Sequence, residues 1–165
     1  MRAFALIGAS VLGKSRLVED LIAALCLDGH TVSVIRHVPD GFDLDSPGKA
    51  SYNRREAGCR EVMLVGDRRL VLMQEYGRDS EPPLDALFDR LSDVDIVMVE
   101  GFKSAHLSAI EVCAKSTGRP MRWPDDPNVF AVVSDEPLKT ALPVFAVADA
   151  AGQARCVALH LGLRA

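Results

Sequence analysis

No apolar run in this 165-residue chain approaches the ~20 residues that a membrane-spanning helix needs. A secretory leader would show a basic start, a longer apolar stretch and a small-residue cleavage site. Here the first apolar run leads straight into a glycine-rich turn, so we expect a cytoplasmic protein with no membrane contact. The four cysteines, Cys26, Cys59, Cys113 and Cys156, lie far apart and form no Cys-x-x-Cys pair. That argues against a zinc site and against a disulfide framework. Cys26, in a helical pattern, and Cys113, in a strand-like run, are expected as buried small hydrophobes. An excess of basic charge is lacking: 19 Lys and Arg stand against 23 Asp and Glu, a net charge of −4. A nucleic-acid-binding surface would usually be basic, so no nucleic-acid partner is expected. Internal repeats, low-complexity tracts and linkers are also missing. With 48% hydrophobic residues, residues 1–165 suit a single domain with a substantial core.

What is present is most concentrated at Gly8-Ala9-Ser10-Val11-Leu12-Gly13-Lys14-Ser15. This fits the phosphate-loop pattern of two glycines followed by Lys and Ser/Thr. The run Ala3 to Ile7 before it reads as a buried strand. Leu17, Val18, Leu21, Ile22 and Leu25 after it recur at helical spacing. Strand, loop and helix together aim backbone N–H groups and an open helix N-terminus at one anion. Lys14 can then reach the outer phosphates, and the Ser15 hydroxyl can ligate Mg2+. Arg16 follows directly and is grouped with this nucleotide-binding segment.

The helix should stop near Asp28-Gly29, and Thr31 to Ile35 reads as a second, parallel strand. A loop follows from His37 to Lys49. Residues 50–58 look helical, and Glu61 to Val65 with Leu70 to Gln74 read as a hairpin or as neighbouring strands. Pro82-Pro83 opens a further helix with Leu84, Leu87, Phe88 and Leu91 on one face. Strands are expected at Asp95 to Val99, Ala109 to Ala114, Val129 to Val133 and Val144 to Val147. Asp149 is the expected N-cap of a final helix reaching Leu161. This alternation indicates an α/β fold, a mostly parallel sheet flanked by helices.

A nucleotide site that hydrolyses or transfers also needs an acid near the metal. Ile96 to Val99 is four apolar residues, and Glu100 follows at the strand end. Parallel strands bring their C-terminal ends to one edge, so Glu100 should emerge near Ser15. There it could ligate Mg2+ or orient a water, which makes Lys14 and Glu100 the catalytic candidates. Asp43 and Asp45, two apart in an extended loop, point the same way. That suits contact with Mg2+ in a switch loop and equally suits a solvated acidic loop. His37 is open in the same manner between a switch role and a structural one.

In these motifs the chain resembles the molybdopterin-guanine dinucleotide biosynthesis protein B (MobB) family. The resemblance runs over nearly the whole chain. Its specific pieces are residues 8–15, Ile35-Arg36-His37, the run Phe42 to Tyr52 including Lys49, Ala57-Gly58, the run Val99 to Lys103, and the run Ala131 to Asp135. It implies a P-loop NTPase-like, three-layer fold that binds GTP with Mg2+. It further implies a homodimeric accessory protein with slow GTP hydrolysis, which assists the guanylyltransferase that attaches GMP to the molybdenum cofactor. Ser15, Glu100 and Asp43 or Asp45 become candidates for Mg2+, and Ser134-Asp135 for reading the base. A carboxylate such as Asp135 can accept from both N1 and N2 of guanine. His37, Lys49, Arg119 and Arg122 are candidates for switching or cofactor contact.

Three features depart from the family pattern: Val11-Leu12 in place of small or polar residues with a glycine, Arg16 in place of a second Thr, and Arg36 in place of Lys. The Asn-Lys-x-Asp guanine motif of Ras-like GTPases is absent, so base choice rests on the resemblance. The alternative is a small-molecule kinase, with residues 115–127 as a basic lid carrying Arg119 and Arg122. The same loop could bind an anionic pterin or a partner enzyme through Trp123, or lie on the surface with Trp123 packed on the core.

Overall fold

The computed structural model describes residues 2–8, 14–39, 41–77, 81–102, 106–113, 118 and 120–164. In chain order the elements are β1 (Arg2–Gly8), α1 (Lys14–Leu27), β2 (Val32–Arg36), α2 (Ala50–Glu56), β3 (Glu61–Val65), β4 (Leu70–Gln74), α3 (Leu84–Phe88), β5 (Ile96–Glu100), β6 (Ala109–Val112), β7 (Val129–Val133), β8 (Val144–Phe145) and α4 (Ala150–His160). The chain divides into two compact units, Met1–His37 with Phe88–Ala165, and Val38–Leu87.

The first unit is built on a six-stranded sheet in the order β2-β5-β1-β6-β7-β8. Every pairing in it is parallel. This is the expected α/β class, a parallel sheet flanked by helices. The first βαβ unit is not a pair of neighbours, because β5 lies between β1 and β2. All five residues of β5 and all four of β6 are buried, as parallel strands covered on both faces require.

On one face, Leu17, Leu21 and Leu25 of α1 and Ala154 and Val157 of α4 pack on Phe4, Leu6, Ile96, Met98, Ile110 and Val133. On the other, Ala5, Ala109, Cys113 and Val132 are covered by the loop side chains Met121, Trp123, Leu138 and Leu142. Cys113 is buried as expected, whereas Cys26 is exposed. The stripe of α1 is centred on Leu21, and Cys26 lies roughly 140° around the helix from it at 3.6 residues per turn.

Asp149 caps α4 by accepting from the Gly152 N–H at 2.9 Å. β8 ends at Phe145, short of the expected Val147. The Val147 N–H turns to the Asp135 carboxylate and the Ala146 carbonyl closes a turn with the Asp149 N–H. α3 covers only Leu84–Phe88, less than the expected face running to Leu91.

In the second unit β3 and β4 form the expected antiparallel hairpin, from Glu61 opposite Gln74 to Val65 opposite Leu70. Met63, Leu64, Val65, Leu70 and Leu72 on it are exposed. α2 ends at Glu56, and Gly58 beyond it has φ +97°, the left-handed turn glycine accepts.

Candidate nucleotide-binding site

Because the strands of the first unit are parallel, Gly8, Arg36, Glu100, Val112 and Val133 share one sheet edge. Gly8 closes β1 with φ +106°. A Cβ there would fall on the Val112 carbonyl oxygen, so β6 leaves room only for glycine at the mouth of the phosphate loop. Ala9, Ser10, Val11, Leu12 and Gly13 lie outside the described residues. The chain re-enters as α1 at Lys14, and its first turn holds no acidic side chain that would compete for an anion. Ser15 and Arg16 are exposed there, and Arg16 pairs along the helix with Asp20 at 3.5 Å.

Glu100 ends β5 directly opposite Leu6 of β1 and Arg36 of β2. Its side chain is buried, with Oε2 3.8 Å from Nε of Arg36. Its Oε1 is buried and accepts no hydrogen bond from any described residue. The backbone around it is tight. The Glu100 carbonyl accepts from the His37 N–H at 2.9 Å. A Cβ on Gly101 would come 2.8 Å from the His37 carbonyl oxygen. The His37 ring lies 5.2 Å from that of Phe102. So His37 braces the strand end that carries Glu100.

At the end of β7, Ser134 is buried and Asp135 exposed. The Ser134 hydroxyl donates to the Glu136 carbonyl and accepts from the Glu136 N–H, both at 3.1 Å. Asp135 Oδ1 accepts from the Val147 N–H at 3.4 Å.

The loop acids of the second unit have different fates. Asp43 Oδ1 accepts from the Asp45 N–H, and its Oδ2 takes the Arg55 guanidinium at 3.0 Å. Arg55 also holds Glu75 at 3.2 Å. Asp45 Oδ1 accepts from the Ser46 N–H and the Ser51 hydroxyl, while its Oδ2 is buried without a partner among the described residues. Lys49 stands at the N-cap of α2 without a side-chain cap bond. Among the described residues, no group of three or more His, Cys, Asp or Glu side chains could hold a metal ion, and no helix is long and apolar enough to cross a membrane.

A family model described as "Molybdopterin guanine dinucleotide synthesis protein B" matches residues 3–135. The chain belongs to this family, MobB. It thereby belongs with the proteins of molybdenum cofactor biosynthesis. A molybdopterin-guanine dinucleotide biosynthesis adapter protein of Escherichia coli K12 is 35% identical over 145 residues, 86% of this chain and 83% of the relative. One from Haemophilus influenzae is 35% identical over 133 residues, 80% and 74% of the two chains. A crystal structure of molybdopterin-guanine biosynthesis protein B superposes with TM-score 0.75 at 23% identity, over 96% of this chain and 99% of that one. Bacillus subtilis MobB gives 0.72 at 17% identity, over 98% of both chains. These structures speak for the fold.

In this MobB chain the loop after β6 is anchored from below. Glu111 is buried on β6, and its oxygens accept the N–H groups of Arg122 at 2.9 and 3.0 Å and of Trp123 at 2.7 Å. The Arg122 side chain is paired with Asp126 at 2.7 Å. Trp123 donates its ring N–H to Met121 sulfur and packs on the core. Arg119 lies outside the described residues. Glu111, Arg55 and Gln153 were not singled out from the sequence. For Glu111 a signal existed, an acid in the middle of the apolar run Ala109 to Val112.

Proposed function

We propose that this chain is a GTP-binding adapter in the assembly of molybdopterin guanine dinucleotide. It would assist the guanylyltransferase that attaches GMP to molybdopterin, with slow GTP hydrolysis of its own. The observation that carries the reading is the shared sheet edge. Gly8 opens the phosphate loop there, and the next strand of the sheet ends there in the buried, half-satisfied carboxylate of Glu100.

The residues present fit Mg2+ and a triphosphate. Oε1 of Glu100 is an acceptor without a hydrogen bond from the described residues, and the Ser15 hydroxyl stands in the first turn of α1. An Mg2+ held mainly by phosphate oxygens and water needs no cluster of three protein ligands. Bound there, Mg2+ would offset negative charge on the phosphates. The N–H groups of residues 8–15 and the start of α1 would carry the phosphates, Lys14 would meet the outermost ones, and Asp135 would accept from the guanine edge. Of the two loop acids, Asp45 is the better metal candidate: one of its oxygens has no partner among the described residues, whereas both oxygens of Asp43 are engaged.

We take residues 1–165 as one functional domain. The exposed apolar side chains of the β3–β4 hairpin support a homodimer formed with a second copy. The kinase alternative needs a mobile basic lid. Three backbone bonds to Glu111, the Arg122–Asp126 pair and the packed Trp123 all argue against one.

Calorimetry with GTP and ATP in the presence of Mg2+ tests this function, together with an assay of GMP attachment by the guanylyltransferase with and without the protein. We expect tighter GTP binding and a higher yield of the dinucleotide cofactor. Equal affinities would remove the guanine assignment, and an unchanged yield the adapter role.

A further inference from the structure

Gln153 lies in α4 with its side chain fully buried, beside the core residues Ala154 and Val157. Its Nε2 donates to the carbonyl oxygens of Ala146 at 2.9 Å and Val147 at 3.4 Å. These two carbonyls form the turn between β8 and α4. The Ala146 carbonyl also accepts from the Asp149 N–H at 3.1 Å. On the other side of the same turn, the Val147 N–H donates to Oδ1 of Asp135. A chain of contacts therefore runs from the buried amide of Gln153 through Val147 to the exposed carboxylate of Asp135. Ser134 holds the near end, through its hydroxyl bonds to Glu136 and through its N–H to the Phe145 carbonyl at 2.8 Å.

The amide is costly where it is. Its Oε1 is buried and takes no hydrogen bond from the described residues. A buried polar atom without a partner opposes folding, so an apolar side chain of similar size would serve the core better. What an apolar side chain cannot do is hold two carbonyls of the turn at once.

We infer that Gln153 is a specificity-positioning residue for the base, fixing the β8–α4 turn so that Asp135 meets the guanine edge with both oxygens. The inference rests on the guanine-nucleotide reading above. Two hydrogen bonds from N1–H and N2–H need the carboxylate in one plane and at one height. A turn freed from Gln153 lets Asp135 rotate, and the second bond, to the N2 amino group, is the one lost. Phosphate binding lies at the other end of the nucleotide and is untouched.

Inosine triphosphate isolates that bond, because it keeps N1–H and O6 and lacks the N2 amino group. The experiment measures affinities of the full-length parent, Gln153→Leu and Gln153→Met for GTP and ITP. The parent should prefer GTP by about tenfold or more, as expected for one hydrogen bond to a charged group. The variants should lose most of that preference through weaker GTP binding, with ITP affinity within about twofold of the parent, since only contacts to the N2 group change. A variant that retains the full preference overturns the inference and leaves the guanine reading intact. A parent with equal affinity for GTP and ITP overturns both. If neither variant folds, NMR of the unaltered protein decides. The Val147 N–H and the Gln153 side-chain amide resonances should move with GTP and stay in place with inorganic tripolyphosphate. Resonances indifferent to GTP would overturn the inference.

Discussion

Oε2 of Glu111 accepts the backbone N–H of Trp123 at 2.7 Å, and among the described residues no cation pairs with this buried carboxylate. The N–H groups of Arg122 and Trp123 serve in place of a counter-ion. Nearby Cys113 registers the charge: burial first, then Glu111, push its thiol up to about 12. Glu111→Ala leaves two N–H groups without their acceptor and should cost roughly 2–4 kcal/mol in urea unfolding. Glu111→Gln keeps one carbonyl acceptor and should cost less. Equal stability of the alanine variant and the parent would show that water replaces the carboxylate.

Lys14→Ala should abolish GTP binding measured by calorimetry while leaving the thermal unfolding profile of the free protein close to the parent's. The ammonium group is the one full positive charge in the phosphate-loop motif. Unchanged affinity would remove the phosphate-loop assignment.

Asp43 and Glu100 should separate into structural and metal roles. Asp43→Asn breaks the pairing with a mostly buried Arg55. It should lower stability by about 1–3 kcal/mol, as for a hydrogen bond to a charged group, with or without Mg2+ and GTP. Glu100→Gln should change stability little and raise the Mg2+ concentration needed for tight GTP binding or for hydrolysis. A Mg2+ titration that shifts for Asp43→Asn and not for Glu100→Gln would reverse the two roles.

Acid sensitivity should appear at the opposite end of the sheet. Asp95 accepts from the Thr31 N–H at 2.9 Å and the Thr31 hydroxyl at 2.7 Å, and these bonds hold its carboxyl below the usual range. A folded pKa below the unfolded one means stabilisation that is complete above the unfolded value and fades as pH falls through the folded value. Asp95→Ala should therefore destabilise the protein at pH 7 and much less at an acid pH below the folded value, where both states hold the proton. The same loss at both pH values in denaturant titrations would show that packing, not charge, dominates there.

The elements that were legible in the sequence are those whose signal is local. A strand buried on both faces shows as a continuous apolar run, so β5 and its terminal Glu100 stand out. Gly8 and the α1 stripe follow from spacing, and Asp149 from cap chemistry. The strand order did not show, because pairing β5 between β1 and β2 is decided by residues far apart in sequence. The same holds for Asp43: its spacing to Asp45 indicated a direction, and its partner is Arg55, twelve residues on and in a helix. Gln153 reads as an ordinary helix former, since the carbonyls it holds belong to a turn.

The placement of β5 also dictates an order of assembly. Neither β1 nor β2 has a hydrogen-bonded strand partner among the described residues before Ile96. The β3–β4 hairpin, by contrast, closes over a few residues. During synthesis the hairpin can form early, while the strand feeding the phosphate loop waits for the second half of the chain. A fragment ending at residue 95 should therefore give no cooperative unfolding transition. Adding residues 96–165, which supply both neighbours of β1, should restore it.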